Sequence, residues 1–160
     1  MYYPLWIASS ALIYWIGYST FFRRKTIAPE IFVHPTGQEN SKLSDNTRRY
    51  HDRLINLMKE KKPYLDQELN LKKLAIQMDL SSGYLSQIIN EYEGKNFFEF
   101  INTYRVEEVK EKISNPKFDH FSLLGIAYES GFKSKSTFNL SFKKITGTTP
   151  TAYKKSTQKT

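Results

Sequence analysis

Apolar residues recur at helical spacing along the chain from about Ser44 onward. The first predicted helix collects its apolar residues on one stripe, namely Tyr50, Leu54, Leu57 and Met58. Arginines and lysines lie mostly off this stripe, as expected for a helix with one buried and one solvated side. The helix is expected to end before Pro63, because the residue that precedes a proline avoids helical backbone angles.

The chain then repeats one order of features: a short apolar helix, a tight turn, a second helix and a glycine stop. The two units span about residues 69–93 and about residues 122–146. The aligned pairs are Leu74 with Ile126, Leu80 with Phe132, Leu85 with Phe138, Ile89 with Phe142, and Gly94 with Gly147. In the second turn, Gly131 suits the positive φ that a tight turn between helices often requires. This order predicts two helix-turn-helix units; the alternative is a pair of helical hairpins that pack only for stability.

A longer connecting helix is predicted between the two units, over about residues 97–114. Its broad apolar stripe consists of Phe97, Phe100, Ile101, Tyr104, Val109 and Ile113. Glu107, Glu108 and Glu111 alternate with lysines, which predicts a solvated surface rather than a pair of catalytic carboxylates. Glu108 and Lys112 are spaced for a favourable i, i+4 ion pair.

The length of the connecting helix matters for what the two units can bind together. About 18 residues at 1.5 Å each span roughly 27 Å. A rigid connector of that size can hold the second helices of the two units about one turn of duplex DNA, roughly 34 Å, apart. One polypeptide could then enter two successive major grooves on one side of the DNA.

Small and polar side chains line the outward side of the second helix in each unit. In the first unit these are Ser82, Gly83, Ser86, Gln87 and Asn90, opposite Leu85, Ile88 and Ile89, while Tyr84 can be assigned to neither side. In the second unit they are Ser134, Lys135, Ser136, Asn139, Leu140 and Lys143, opposite Phe138, Phe142 and Ile145. Helix N-termini opened by small polar residues also present backbone N–H groups that suit phosphate. The outward residues are therefore the candidate binding residues.

Leu140 is unusual among them, because its neighbours Ser136, Asn139 and Lys143 are all polar. An apolar side chain there is mildly unfavourable in water, yet it suits the methyl group of a thymine in the major groove. The alternatives are a tolerated surface leucine and packing against another domain.

Several basic residues outside these helices are candidates for phosphate contacts. Arg105 lies off the main apolar stripe of the connecting helix, so it is expected either to bind a phosphate or to form an internal salt bridge. Lys144, Lys154 and Lys155 are expected to contact the phosphate backbone or simply to be solvated. Such contacts add affinity without adding sequence information.

The composition favours a polyanionic partner. Lys and Arg total 24 against 16 Asp and Glu, which gives a net charge of +8 and a pI near 9.5. This balance suits nucleic acid or an anionic membrane surface.

The absence of cysteine excludes disulfides and thiolate metal sites, and the three scattered histidines are not spaced like metal ligands. No enzymatic activity, metal or cofactor is predicted, since no nucleophile–base pair or phosphate-binding glycine loop is found.

Residues 1–22 contain no charged side chain, and Arg23, Arg24 and Lys25 follow at once. An uncharged run of about 20 residues can cross the hydrocarbon core of a bilayer, and a basic cluster marks its cytoplasmic side. A cleaved signal peptide would carry positive charge before the apolar run, and a buried core helix would show a polar side. We therefore predict a transmembrane helix with its basic flank in residues 1–25, inserted through residues 2–22, with the rest of the chain in the cytoplasm.

Residues 26–43 contain two prolines and no sustained periodicity, so they are predicted to be a linker.

Four stretches carry a resemblance to a known family: LNLKKLA (69–75), SSGYLSQ (81–87), INTYRVEEVK (101–110) and IAYESGFKSKSTFNLSFKKITGTTPTAYKK (126–155). They resemble the C-terminal DNA-binding domain of AraC/XylS-type transcription regulators. The resemblance implies that residues 44–160 form an all-α domain of seven helices, with two helix-turn-helix subdomains joined by a long helix. Such domains bind double-stranded promoter DNA, commonly to activate transcription, and RNA polymerase is a further candidate partner. No sensing module of the kind that such regulators often carry is visible in this sequence.

Two positions depart from many members of that family, which have arginine where Gln87 and Leu140 stand here. Both changes remove a bidentate donor for guanine, whereas Gln87 can instead pair with adenine.

The alternative from another functional class is a membrane-associated basic module that binds anionic lipid or a partner protein. That alternative does not account for the repeated helix-turn-helix pattern.

Overall fold

The computed structural model describes residues 40–157 of the chain, and their side chains from residue 46 onward. Glu39–Thr160 is one compact unit. Within the described residues there is no strand, and the helices are α1 (Asn40–Glu60), α2 (Leu71–Met78), α3 (Ser82–Glu93), α4 (Phe97–Ile113), α5 (Leu123–Glu129), α6 (Lys135–Thr146) and α7 (Pro150–Thr157). Short 3-10 helices at Pro63–Leu65 and Pro116–Phe118 follow α1 and α4. The seven helices confirm the predicted all-α fold.

Between residues 40 and 157, every helix is too short or too polar to cross a membrane. The transmembrane helix predicted in residues 1–25 lies outside the described residues, as does most of the predicted linker. The end of that linker is helical, because α1 already begins at Asn40 rather than near Ser44.

Side-chain caps explain where most of these helices begin. In four of them the N-cap side chain accepts a hydrogen bond from a backbone N–H in the first turn; the caps are Asn70, Ser81, Ser122 and Ser134. Helix α4 starts with a capping box. In it, the Asn96 side chain accepts from the Glu99 N–H at 3.0 Å, and the Glu99 carboxylate accepts from the Asn96 N–H at 3.3 Å.

Two hydrophobic cores share helix α4. The first core packs α1, α2 and α3 against the first half of α4, and its members include Leu54, Met58, Leu74, Leu85, Ile89, Phe97, Phe100 and Ile101. The second core packs α5 and α6 against the second half of α4, and its members include Val106, Val109, Ile113, Ile126, Phe132, Phe138 and Phe142. The long helix therefore carries one helix-turn-helix unit on each half.

Glu108 is buried, which corrects the prediction of a solvated surface on this part of α4. The residue is 8% exposed, and one carboxylate oxygen accepts from Lys62 Nζ at 2.9 Å and from the Tyr64 hydroxyl at 3.0 Å. Burial opposes ionisation of Glu108, but these donors outweigh it, so the pKa of this carboxyl lies below its ordinary value. The predicted pair with Lys112 is present at 3.5 Å. Periodicity alone could not show the burial, because its partners Lys62 and Tyr64 are distant in sequence.

Candidate nucleic-acid interface

In the first helix-turn-helix unit, α2 and α3 are joined by the three residues Asp79, Leu80 and Ser81. Asp79 has a left-handed backbone with φ of 57°, and its N–H donates to carbonyls in the last turn of α2. Ser81 then caps α3 by accepting from the Tyr84 N–H at 3.2 Å. This closed turn ends one helix and starts the next within a few residues, as a helix-turn-helix requires.

Helix α3 buries one side and leaves the other open. Leu85, Ile88 and Ile89 are all 0% exposed, as their spacing predicts. Among the predicted outward residues, Gly83, Gln87 and Asn90 are exposed, while Ser82 and Ser86 are half-buried. The structure brings these five residues together on the open side of α3.

Tyr84, which the sequence could not assign to either side of α3, packs against α1. Its hydroxyl lies 3.2 Å from Thr47 Oγ1, and its ring meets the Tyr50 ring edge-on at 5.9 Å. At the other end of α3, His51 Nε2 lies 2.9 Å from a carboxylate oxygen of Glu93. Helix α1 therefore holds both ends of α3, and Tyr84 belongs to packing.

The second unit joins α5 to α6 through a slightly longer turn that contains Gly131, Phe132 and Lys133. Gly131 has φ of +89°, which confirms the predicted need for glycine at this point. Phe132 is 0% exposed and anchors the turn in the second core. The Ser134 hydroxyl accepts from the Thr137 N–H at 3.2 Å and donates to Thr137 Oγ1 at 2.9 Å. Ser134 is thus occupied as the cap of α6.

Helix α6 places most of its predicted outward residues in solvent. Lys135, Ser136, Asn139, Leu140 and Lys143 are all exposed. Leu140 is 73% exposed, so no other part of the described chain covers it. Phe138 and Phe142 are buried at 2% and 0% exposure, as predicted.

Ile145 corrects the prediction, because it is 37% exposed rather than part of the core. It lies in the last turn of α6, beside a groove of about 260 Å³ that is lined by Gly94 and Lys95 from the end of the first unit and by residues of α4. The i, i+4, i+7 spacing that groups it with Phe138 and Phe142 is correct. The core simply ends one turn earlier, because the groove opens there.

Arg105 is internal, as one of its two predicted roles requires, but within the described part of the chain it does not form the expected salt bridge. Its side chain is 9% exposed, and the guanidinium donates to two backbone carbonyls, that of Tyr64 at 2.8 Å and that of Asp66 at 2.9 Å. Burial lowers the pKa of Arg105 below its ordinary value, partly offset by Asp66. Arg105 is therefore an internal donor rather than a phosphate contact, and its partners are carbonyls rather than the expected carboxylate.

Lys144 has an acidic partner within the protein. Its Nζ lies 2.6 Å from a carboxylate oxygen of Glu99, and both side chains are largely exposed. The bond from Lys144 and the one from the Asn96 N–H hold the pKa of the Glu99 carboxyl below its ordinary value. A phosphate that bound Lys144 would have to compete with this pair.

The two candidate helices differ in charge, a contrast that the predicted outward residues alone do not show. Helix α3 contains Glu91 and Glu93 but no lysine or arginine, whereas α6 contains Lys135, Lys143 and Lys144. The sequence alone shows this contrast once the helix ends are known. Among the two candidate helices, positive charge is thus concentrated on α6. Among residues 40–157, no group of acidic residues and histidines is arranged to hold a metal ion.

Comparison with known proteins places this geometry in context. The sequence profile of a helix-turn-helix domain family matches residues 74–156, from within α2 to within α7. YtdP, an uncharacterized helix-turn-helix-type transcriptional regulator of Bacillus subtilis, is 26% identical over 124 residues. The aligned region covers 77% of this chain but 15% of YtdP, so this chain spans only a small part of that relative's length.

Two solved structures share the arrangement of helices. The C-terminal domain of the two-component response regulator yesN from Fusobacterium nucleatum is 28% identical, with a TM-score of 0.54; the match covers 64% of this chain and 95% of that one. A DNA-binding transcriptional dual regulator from Escherichia coli K-12 is 21% identical, with a TM-score of 0.58, over 69% of this chain and 94% of that one. At that level of identity, the second likeness concerns the fold alone.

Proposed function

This chain belongs to the AraC-type helix-turn-helix domain family, and we propose that it regulates transcription by placing α3 and α6 in successive major grooves of promoter DNA. The observation that carries this proposal is that α3 and α6, which both pack against the connecting helix α4, each expose a polar side. Each of α3 and α6 buries its apolar side in a separate core and leaves its polar side exposed. Any surface helix exposes a polar side, but here two such helices each follow a tight turn and pack in two cores that share one connecting helix, as a pair of helix-turn-helix units does.

The length of α4 suits this arrangement. Its 17 residues span about 25 Å at 1.5 Å per residue. Helices α3 and α6 pack in the two cores that share α4. The length of α4 is of the same order as the roughly 34 Å between successive major grooves on one side of B-DNA. This agreement between the length of α4 and the spacing of the grooves supports simultaneous binding of two half-sites by one chain.

Within this proposal the exposed residues divide into two roles. Gln87 and Asn139 can pair with adenine, and Leu140 can contact a thymine methyl group, so these residues select sequence. Lys135 and Lys143 contact phosphates and supply affinity that depends on salt. The capped N-termini of α3 and α6 present further backbone N–H groups to phosphate.

Binding by the full chain to duplexes selected from a random pool tests the proposal. In gel mobility shifts at physiological salt, we expect the selected duplex to bind on the order of 10³-fold more tightly than a scrambled one. Leu140→Arg should change the preferred base in one half-site toward guanine. The control Lys155→Gln should weaken binding to both duplexes alike. Equal affinity for selected and scrambled duplexes would reject the proposal, and binding to anionic vesicles instead would favour the basic membrane module.

Membrane attachment through residues 2–22 is a separate part of the proposal, supported by the uncharged run and the basic residues that follow it. We expect the full chain to stay with the membrane fraction after a high-salt wash, because a hydrophobic span does not depend on electrostatics. A fragment of residues 44–160 should stay in the supernatant. Release of the full chain by salt alone would contradict a spanning helix.

A further inference from the structure

Residues 62–68, which we call the brace, connect α1 to α2 and yet contact the second helix-turn-helix unit. The Gln67 side chain donates to the Tyr128 carbonyl at the end of α5, at 3.1 Å. Lys133, in the turn of the second unit, lies 2.6 Å from a carboxylate oxygen of Glu68. The brace leads directly into α2, so it links the start of the first unit to the turn of the second.

Arg105 joins the brace to the middle of α4. Its guanidinium donates to the Tyr64 and Asp66 carbonyls of the brace, at 2.8 Å and 2.9 Å. The same group lies 6.0 Å from the centre of the Phe132 ring, in the turn of the second unit. Arg105 stands where α4 passes from the first core to the second. One buried side chain thus contacts the brace and the second unit from the connecting helix.

Gly131 shows how closely these elements approach. A Cβ atom added to Gly131 would lie 2.1 Å from the Tyr64 carbonyl oxygen and 3.0 Å from Arg105 Nε. The backbone of the second turn therefore rests directly on the backbone of the brace. Glu108 adds two further hydrogen bonds between α4 and the brace, which it accepts from Lys62 Nζ and from the Tyr64 hydroxyl.

A single helix would be a weak constraint on how two units are oriented, because helices bend and the packing at each end can shift. The brace provides a second connection between the two units, because it leads into α2 and contacts both α4 and the turn of the second unit. We propose that Arg105 and the brace fix the distance and rotation between α3 and α6, and so determine which half-site spacing the protein accepts. This inference rests on the proposed function. In it Arg105 is a positioning residue that never touches DNA.

A purely structural role for Arg105 makes a different prediction. Loss of stability alone would lower the fraction of folded protein and weaken binding to every duplex by the same factor. Loss of positioning would leave each unit able to bind its half-site, but would let the pair adapt to altered spacing. The dependence of affinity on spacing therefore separates the two roles.

The experiment measures binding of the full chain to the selected duplex and to duplexes with one base pair added or removed between the half-sites. Each such change moves one half-site by about 3.4 Å and turns it by roughly 35°. We expect the wild type to lose about tenfold in affinity, comparable to the loss of one base contact. Arg105→Met should lose threefold or less, with unchanged binding to an isolated half-site.

A second variant avoids the buried site, in case Arg105→Met does not fold. Gln67→Ala combined with Glu68→Gln removes two exposed contacts of the brace with the second unit, and it should also broaden the accepted spacing. Lys73→Gln is the matched control: it breaks the exposed pair of Lys73 with Asp66, which does not reach the second unit, and should keep the wild-type dependence. If a folded variant of Arg105 or of the brace keeps the wild-type dependence on spacing, the positioning inference is wrong. If the wild type itself fails to prefer the selected duplex, the proposed function is wrong, and this inference with it.

Discussion

Gly131→Ala is expected to lower the free energy of unfolding of residues 39–160 by about 2–6 kcal/mol. Two effects add. A side chain at φ of +89° is strained by about 1–3 kcal/mol, and the new methyl group would overlap the Tyr64 carbonyl oxygen at 2.1 Å. Forcing an extra methyl group into a packed site costs about 1–3 kcal/mol. Denaturant unfolding of this fragment, followed by circular dichroism, measures the difference.

Gly147→Ala is the matched control for the strain. Gly147 ends α6 with φ of +76°, and nothing lies within 4 Å of the added Cβ. The control should therefore lose only the conformational part, about 1–3 kcal/mol. Equal losses in the two variants would show that the brace moves aside without cost, which would contradict the close packing between Gly131 and Tyr64.

The sequence predicted the elements whose neighbours are close in the chain. The buried sides of α3 and α6 followed from helical spacing, with Leu85, Ile89, Phe138 and Phe142 placed correctly. The need for glycine in the second turn followed from the shape of a tight turn, and position 131 has the expected positive φ. These features depend on local geometry, which periodicity and turn chemistry express directly.

The errors arose where a distant segment covers a polar side chain. On their own helix, the alternating charges around Glu108 predict a solvated surface, and the position of Arg105 off the apolar stripe predicts a phosphate contact or an internal salt bridge. Both are buried because the brace, about 40 positions earlier, lies over that side of α4. A lone arginine beside an apolar helix stripe can serve phosphate or backbone carbonyls equally well, since both are acceptors. Ile145 differs from the prediction for another reason: its helical spacing is right, but it lies beyond the edge of the second core and is 37% exposed.

Insertion of five base pairs between the half-sites is expected to cost the full chain about 30-fold or more in affinity. Half a helical turn places the second half-site on the opposite side of the duplex, about 17 Å farther along. Only α3 or α6 can then reach its bases, and the loss of even two base contacts of about 1 kcal/mol each gives this factor. Gel shifts with the selected duplex and its five-base-pair insertion measure the loss.

A ten-base-pair insertion distinguishes a rigid pair of units from a flexible one. It returns the second half-site to the original side of the DNA but leaves it roughly 34 Å farther away. If the connection between the two units were flexible, part of the affinity would return once both half-sites again lie on the same side of the DNA. Helix α4 and the brace hold both units to one another, so we expect the ten-base-pair duplex to bind as weakly as the five-base-pair duplex. Recovery on the full turn would mean that the units separate on DNA, and no loss with either insertion would mean that a single unit supplies all the specificity.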